Sequence, residues 1–189
     1  MNLPNKLTLL RVILVPVFIV FVLYPQIPLH YLWALLIFIL ASLTDHYDGK
    51  IARDRNLITN FGKFLDPLAD KILIISALVC FLFLGFANVW CILIIIAREL
   101  MVTSLRLLAL EEGGKVIAAN RWGKAKTISQ MAAVILVLFA QSVLEILRKP
   151  APQPVLAAGS GVIWFAAALT VVSGVVYVRQ NLTVFRTGK

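Results

Sequence analysis

Six apolar runs, near residues 8–24, 31–50, 66–86, 88–110, 125–147 and 155–179, alternate with short polar breaks along this chain. Each approaches the roughly 20 residues that a helix needs to cross the hydrocarbon core of a bilayer. The pattern therefore predicts six transmembrane helices. The breaks carry turn chemistry: Pro25-Gln26-Ile27-Pro28, the stretch from Gly85 to Asn88, Glu111-Glu112-Gly113-Gly114, and Pro150-Ala151-Pro152-Gln153-Pro154. No repeat or low-complexity tract divides the chain, and residues 1–189 read as a single membrane domain.

Composition sharpens this to an all-α integral membrane protein. With 61% hydrophobic residues and a mean hydropathy of +0.93, the chain holds more apolar side chain than a soluble domain of 189 residues can bury. The first run follows Asn2, Pro4 and Lys6 like a signal peptide, but no small-residue cleavage site closes it, so it is expected to stay as a membrane helix. Cys80 and Cys91 lie in apolar surroundings, too few for a disulfide or metal framework, and read as packing residues.

Only 14% of residues are charged, yet the formal charge is +9. A cytoplasmic N-terminus puts Lys6, Arg11, Lys50, Arg53, Arg55, Lys63, Lys71, Lys115, Arg121, Lys124, Lys126, Arg179, Arg186 and Lys189 on or near the inner side, and only Arg148 and Lys149 outside. This bias predicts that both termini are cytoplasmic. Taken singly, most of these cations need be no more than topology anchors at anionic head groups. Arg98 and Arg106 differ because they fall inside the fourth run, where an ionisable residue is a functional candidate.

Against this background, four of the nine acidic residues crowd into one stretch: Asp45, Asp48, Asp66 and Asp70. Carboxylates at the edge of apolar runs are costly unless something compensates their charge. Asp45 and Asp48 are three apart at the end of the second helix, and Asp66 and Asp70 four apart at the start of the third, so each pair shares a helix face. Two antiparallel helices joined by a short loop can bring those faces together at their cytoplasmic ends. Four hard oxygen donors suit magnesium, manganese or calcium rather than zinc. Gly49, Ala52 and Gly62 follow the same stripe and leave room for a bulky, phosphate-bearing ligand, with Arg53 as counter-charge. Single carboxylates at helix ends are often caps; Asp54 reads that way, and Asp66 before Pro67 has the form of an N-cap. His46 and Tyr47 read as packing residues and His30 as interfacial.

The pattern Asp45-x2-Asp48-Gly49-x2-Ala52-Arg53-x8-Gly62-x3-Asp66-x3-Asp70 resembles the full signature of the CDP-alcohol phosphatidyltransferases, with eight positions at fixed spacing. Within that family the chain is most similar to the bacterial phosphatidylglycerophosphate synthases. The similarity runs through Asn5-Lys6-Leu7-Thr8-Leu9-Leu10-Arg11, through the stretch from Asn60 to Lys71, through Ala97-Arg98-Glu99-Leu100, and through Gly123-Lys124-Ala125-Lys126-Thr127. Beyond about Leu147 it rests on hydropathy alone.

The resemblance implies transfer of a phosphatidyl group from CDP-diacylglycerol to sn-glycerol 3-phosphate, giving phosphatidylglycerophosphate and CMP, at the cytoplasmic face of a bacterial plasma membrane. It implies two divalent ions, Mg2+ or Mn2+, on Asp45, Asp48 and Asp66 with Asp70 also near, and Asp70 as general base. Thr44, Gly49, Ala52, Arg53 and Gly62 would hold the cytidine diphosphate of the donor. Arg106, Lys124, Lys126, Arg98 and Thr127 are the candidates for the acceptor's phosphate. Arg98 and Arg106 are about 80° apart on their helix at 100° per residue, and Arg98 has a structural alternative in pairing with Glu99. Membrane lipids and a second copy of the chain are the implied partners, and nucleic acid is not among them. Two rival readings are the same chemistry on another alcohol, such as inositol phosphate, and a divalent-cation carrier. A carrier would want its carboxylates near mid-membrane, whereas these gather at one face.

Overall fold

The computed structural model describes the backbone of residues 3–54, 60–111 and 121–180, and the side chains of residues 8–44, 71–105 and 121–180. Among the described residues the chain forms six helices and no strand: α1 (Leu3–Leu23), α2 (His30–Asp54), α3 (Asn60–Phe83), α4 (Val89–Glu111), α5 (Arg121–Ile146) and α6 (Gln153–Gln180). Each apolar run lies on one helix, and the predicted breaks separate them. Several helices extend beyond their runs, among them α1, which begins at Leu3, and α5, which begins at Arg121. α3 begins at Asn60, six residues before the apolar run, and α2 runs on to Asp54. Asp66 and Pro67 thus lie within α3 instead of capping it.

The turn residues fulfil their local chemistry. Gly85 ends α3 in the left-handed region at φ 75°, the Phe86 N–H bonds the Phe81 carbonyl at 2.8 Å, and the Gly85 N–H bonds that of Leu82 at 3.1 Å. Those two bonds are the Schellman closure of a helix, and the Phe81 and Phe86 rings, 6.1 Å apart, supply its usual apolar contact. Asn88 then caps α4, its side-chain oxygen accepting from the Trp90 N–H at 2.9 Å. α5 closes by the same two bonds as α3, from Lys149 to Leu144 and from Arg148 to Glu145. Here, however, an arginine takes the left-handed position, at φ 51°.

Successive helices run antiparallel, and α1 packs on α2 and α3, α6 on α4 and α5, and α2 on α5. Contacts at the two ends fix this arrangement. At one end the His30 and Tyr31 N–H groups that open α2 donate to Glu145, near the end of α5. At the other, Lys71 near the start of α3 meets Thr103 in the later half of α4, and Lys126 near the start of α5 meets Glu99. The start of α1 and the end of α6 therefore lie at the same end as the aspartate-bearing segments of α2 and α3.

A core of Phe18, Phe38, Leu78, Phe81, Ile95, Leu138 and Ile163 fills the centre, with Phe18 and Phe38 ring centroids 5.8 Å apart. The outside is equally apolar: Ile13, Leu36, Phe83, Trp90, Leu93, Phe139 and Phe165 are exposed, while Arg11, Glu99, Lys126, Gln130 and Thr170 are buried. Apolar residues outside and hydrogen-bonded polar ones inside are what a lipid solvent selects. This is a membrane protein. By length and composition α5 and α6, with hydropathy 1.9 and 2.1, are long and apolar enough to cross a bilayer among the described residues, while Thr8–Leu23, His30–Thr44 and Lys71–Phe83 form shorter apolar stretches. Cys80 and Cys91 are free and buried, as packing residues are.

Candidate active site

The backbone of α2 is helical without a break through Asp45, Asp48, Gly49, Ala52 and Arg53, and that of α3 through Gly62, Asp66 and Asp70. The registers that put Asp45 with Asp48, and Asp66 with Asp70, on one face are therefore kept in the backbone. The side chains of these residues and of Arg106 lie outside the described ones. Among the described residues no three histidine, cysteine, aspartate or glutamate side chains gather as a metal site would need. Thr44, one residue before Asp45, turns its hydroxyl back onto the Leu40 carbonyl of its own helix.

The described side chains begin at Lys71, one residue past Asp70, and from there a polar chain crosses the bundle. The Lys71 ammonium contacts the Thr103 hydroxyl on α4, and that hydroxyl donates to the Glu99 carbonyl at 2.7 Å. The Glu99 carboxylate accepts from the Lys126 ammonium of α5. Arg98 Nη1 lies 3.5 Å from the same carboxylate, while its Nη2 donates to the Ser173 hydroxyl of α6 at 2.7 Å. One turn deeper, Gln130 Nε2 donates to Thr170 Oγ1 at 2.9 Å, tying α5 to α6. Buried charges are tolerated only when paired, and Glu99 pairs with two.

Of the residues expected at the acceptor phosphate, the structure brings Arg98 and Lys126 onto Glu99. Thr127, whose hydroxyl bonds the Gly123 carbonyl at 3.2 Å, joins Lys71, Glu99, Lys126 and Gln130 around a pocket of about 20 Å³. Such a pocket holds a water molecule, not a glycerol phosphate. Lys124 is not in this group. Two residues from Lys126 on a helix, it falls on the far face and is exposed. Arg98 adopts the structural pairing with Glu99 that its position allowed.

Three features escaped the sequence reading. Arg11, grouped there with the topology anchors, is fully buried on α1 together with Thr8; an arginine inside an apolar run was the available signal. Ser173 carried no sequence signal as a network member, and of Glu99 only the pairing with Arg98 could be read, because their other partners lie on other helices. At the opposite end, His30 is buried and takes part in a second cluster: its ring Nδ1 lies 3.0 Å from the Phe21 carbonyl and its Nε2 3.9 Å from Glu145. The expected interfacial histidine is thus tied into the bundle.

Comparison with known proteins adds to this geometry. The family model described as CDP-alcohol phosphatidyltransferase matches residues 1–175. The chain is 42% identical over 197 residues, covering 98% of both chains, to a Bacillus subtilis protein named CDP-diacylglycerol–glycerol-3-phosphate 3-phosphatidyltransferase. It is 40% identical to a probable phosphatidylglycerophosphate synthase of Mycobacterium tuberculosis, over 96% of this chain and 82% of that one. A Rickettsia bellii protein named as the B. subtilis one is 37% identical over 93% of each.

Proposed function

Because the chain belongs to the CDP-alcohol phosphatidyltransferase family, we propose that it transfers the phosphatidyl group of CDP-diacylglycerol to sn-glycerol 3-phosphate, releasing phosphatidylglycerophosphate and CMP. One observation carries this reading: all eight signature positions, from Asp45 to Asp70, are present and fall on two continuous helices. Relatives of nearly equal length, named for that reaction, support the choice of acceptor.

In this reading the chain is one domain that spans a bacterial plasma membrane six times, as a homodimer, with both termini and the aspartate ends of α2 and α3 in the cytoplasm. The exposed apolar surfaces of the helices and the positive charge at that end support the orientation. The donor enters from the lipid and the acceptor from water. Both need the membrane's inner surface.

The donor set fits a divalent metal pair: the fixed signature positions supply four hard carboxylates in helical register and no histidine or cysteine, His46 falling at a variable position between Asp45 and Asp48. Asp45, Asp48 and Asp66 would hold Mg2+ or Mn2+, with Asp70 beside them. When bound, such ions neutralise diphosphate oxygens and stabilise the leaving CMP. Thr44, Gly49, Ala52, Arg53 and Gly62 seat the cytidine diphosphate, the glycines and alanine by leaving the backbone bare and Arg53 by its charge. Asp70 takes the proton of the acceptor's 1-hydroxyl. That oxygen forms a bond to the phosphorus carrying diacylglycerol, as the bond from this phosphorus to the oxygen shared with CMP breaks. Both electrons of the broken bond leave with CMP.

Arg106, with Lys126 and Thr127 at the edge of the small polar pocket, is assigned the acceptor's phosphate, while Lys124 on the opposite face of α5 and Arg98, held by Glu99 and Ser173, are left out of that seat. Glu99 holds Arg98 and Lys126 in place and lowers the local positive charge. The Lys71–Thr103 contact ties the base-bearing helix to α4, keeping base and seat in one frame. The test is CMP release by purified protein given CDP-diacylglycerol, magnesium and a panel of alcohols. Glycerol 3-phosphate should be used, with serine and free inositol inert. Release with inositol phosphate but not glycerol 3-phosphate would move the protein to another acceptor, and no release with any alcohol would sink the transferase reading.

A further inference from the structure

A groove of about 450 Å³ lies between α4 and α6, outside the aspartate site on α2 and α3. Its walls are apolar: Ala97 and Met101 from α4, and Val171, Val175 and Val178 from α6. Met101, Val171 and Val175 are also exposed, so the groove opens onto the outer surface of the bundle, where lipid is the solvent. Gly174 shapes its floor. A Cβ there would come 3.1 Å from Arg98 Cγ, and the bare backbone lets the arginine's aliphatic stem lie along α6 while its guanidinium turns inward to Ser173 and Glu99.

At one end of the groove stands Arg179, in the last turn of α6, exposed and with no carboxylate partner among the described residues. It lies eight residues beyond Val171, roughly 12 Å along a helix at 1.5 Å per residue. An apolar channel that faces lipid and ends at a cation near the membrane surface matches one kind of molecule. We infer that the α4–α6 groove binds an anionic phospholipid, one acyl chain lying along Val171, Val175 and Val178 and the head-group phosphate on Arg179. Its volume falls in the roughly 300–1,000 Å³ range of small-molecule sites. The walls give shape but no preference, because acyl chains are as apolar as valine. Preference comes from Arg179, and it is for net negative charge.

The site rests on the membrane reading and not on the transferase reading, and the experiment keeps the two apart. Purified full-length protein in neutral detergent is titrated with dioleoyl phosphatidylglycerol or dioleoyl phosphatidylcholine, and bound lipid is counted by native mass spectrometry. Phosphatidylglycerol also carries the phosphatidyl group of the proposed donor and product, so only the retention lost in the groove variants is counted for the groove. Wild type should hold it at about fivefold lower concentration than phosphatidylcholine, the contribution of one surface cation. Arg179→Gln should bring the two lipids level, and Val175→Trp, which fills the groove, should remove both. Should Val175→Trp fail to fold, Val178→Phe narrows the same wall. An unchanged phosphatidylglycerol preference in Arg179→Gln, or unchanged lipid counts in the groove-filling variant, overturns the inference. So does a groove-filling variant that turns dimer into monomer with lipid binding intact, which would give the groove to a second copy of the chain.

Discussion

Glu99 on α4 and Lys126 on α5 form an ion pair with both side chains only 9% exposed, and Arg98 leans on the same carboxylate. Removing one partner of a buried pair leaves the other charged and unsatisfied, at a cost of about 3–5 kcal/mol, whereas replacing both by apolar groups is far milder. Glu99→Leu should therefore lower the thermal transition of the purified protein strongly. Adding Lys126→Met to it should restore part of the loss, a double-mutant coupling of at least about 1 kcal/mol. Simple additivity of the two losses would mean that the pair is not coupled.

At the opposite end, Glu145 accepts the His30 and Tyr31 N–H groups at 2.9 and 3.1 Å, capping α2 with a carboxylate borrowed from α5. A helix start has orphan donors and a positive dipole end, both of which favour an anion. Glu145→Ala should cost about 1–2 kcal/mol of stability, and Glu145→Gln less, since one acceptor survives. Because the aspartates lie at the other end of the bundle, folded Glu145→Gln protein should release CMP at close to the wild-type rate. A tenfold loss would show that this cap reaches the site.

Two helix closures of the same form differ in one residue. Gly85 takes the left-handed position after α3, and Arg148 takes it after α5. A Cβ on Gly85 would meet nothing within 4 Å, so Gly85→Ala should destabilise through the backbone alone, by about 1 kcal/mol. Arg148→Gly should raise stability by a similar amount. Denaturation midpoints that move the other way would refute the closure argument.

What the sequence made legible follows from where its signals are local. Six helices could be read because each apolar run is a complete signal, and the turns at Gly85 and Asn88 because capping is a matter of neighbours. The start of α3 at Asn60 could not be read from the apolar run, because helical hydrogen bonding does not stop where that run does; its signal was the resemblance over Asn60 to Lys71. The aspartate registers were readable as spacing on a helix. The pairing of Glu99 with Lys126, 27 residues on, and of Glu145 with α2 was not. Local spacing holds no record of which helix packs against which. Lys124 and Lys126 were both candidates for the acceptor's phosphate, although two residues apart on a helix they fall on opposite faces.

The proposed metal role of the aspartates predicts a magnesium requirement. Asp48→Asn removes one carboxylate charge from the cluster and should raise the magnesium concentration needed for half-maximal CMP release at least about tenfold, with activity partly restored at high magnesium. An unchanged magnesium requirement would remove Asp48 from the ligand set.

In the proposed reaction Asp70 is the base of a phosphatidyl transfer to glycerol 3-phosphate. The most direct test of this role is the single-turnover rate of CMP release from CDP-diacylglycerol by Asp70→Asn protein, measured beside its binding of CDP-diacylglycerol. A loss of at least about a hundredfold in rate is expected, the lower end of what a general base contributes, with donor binding retained. Turnover at the wild-type rate would contradict that role.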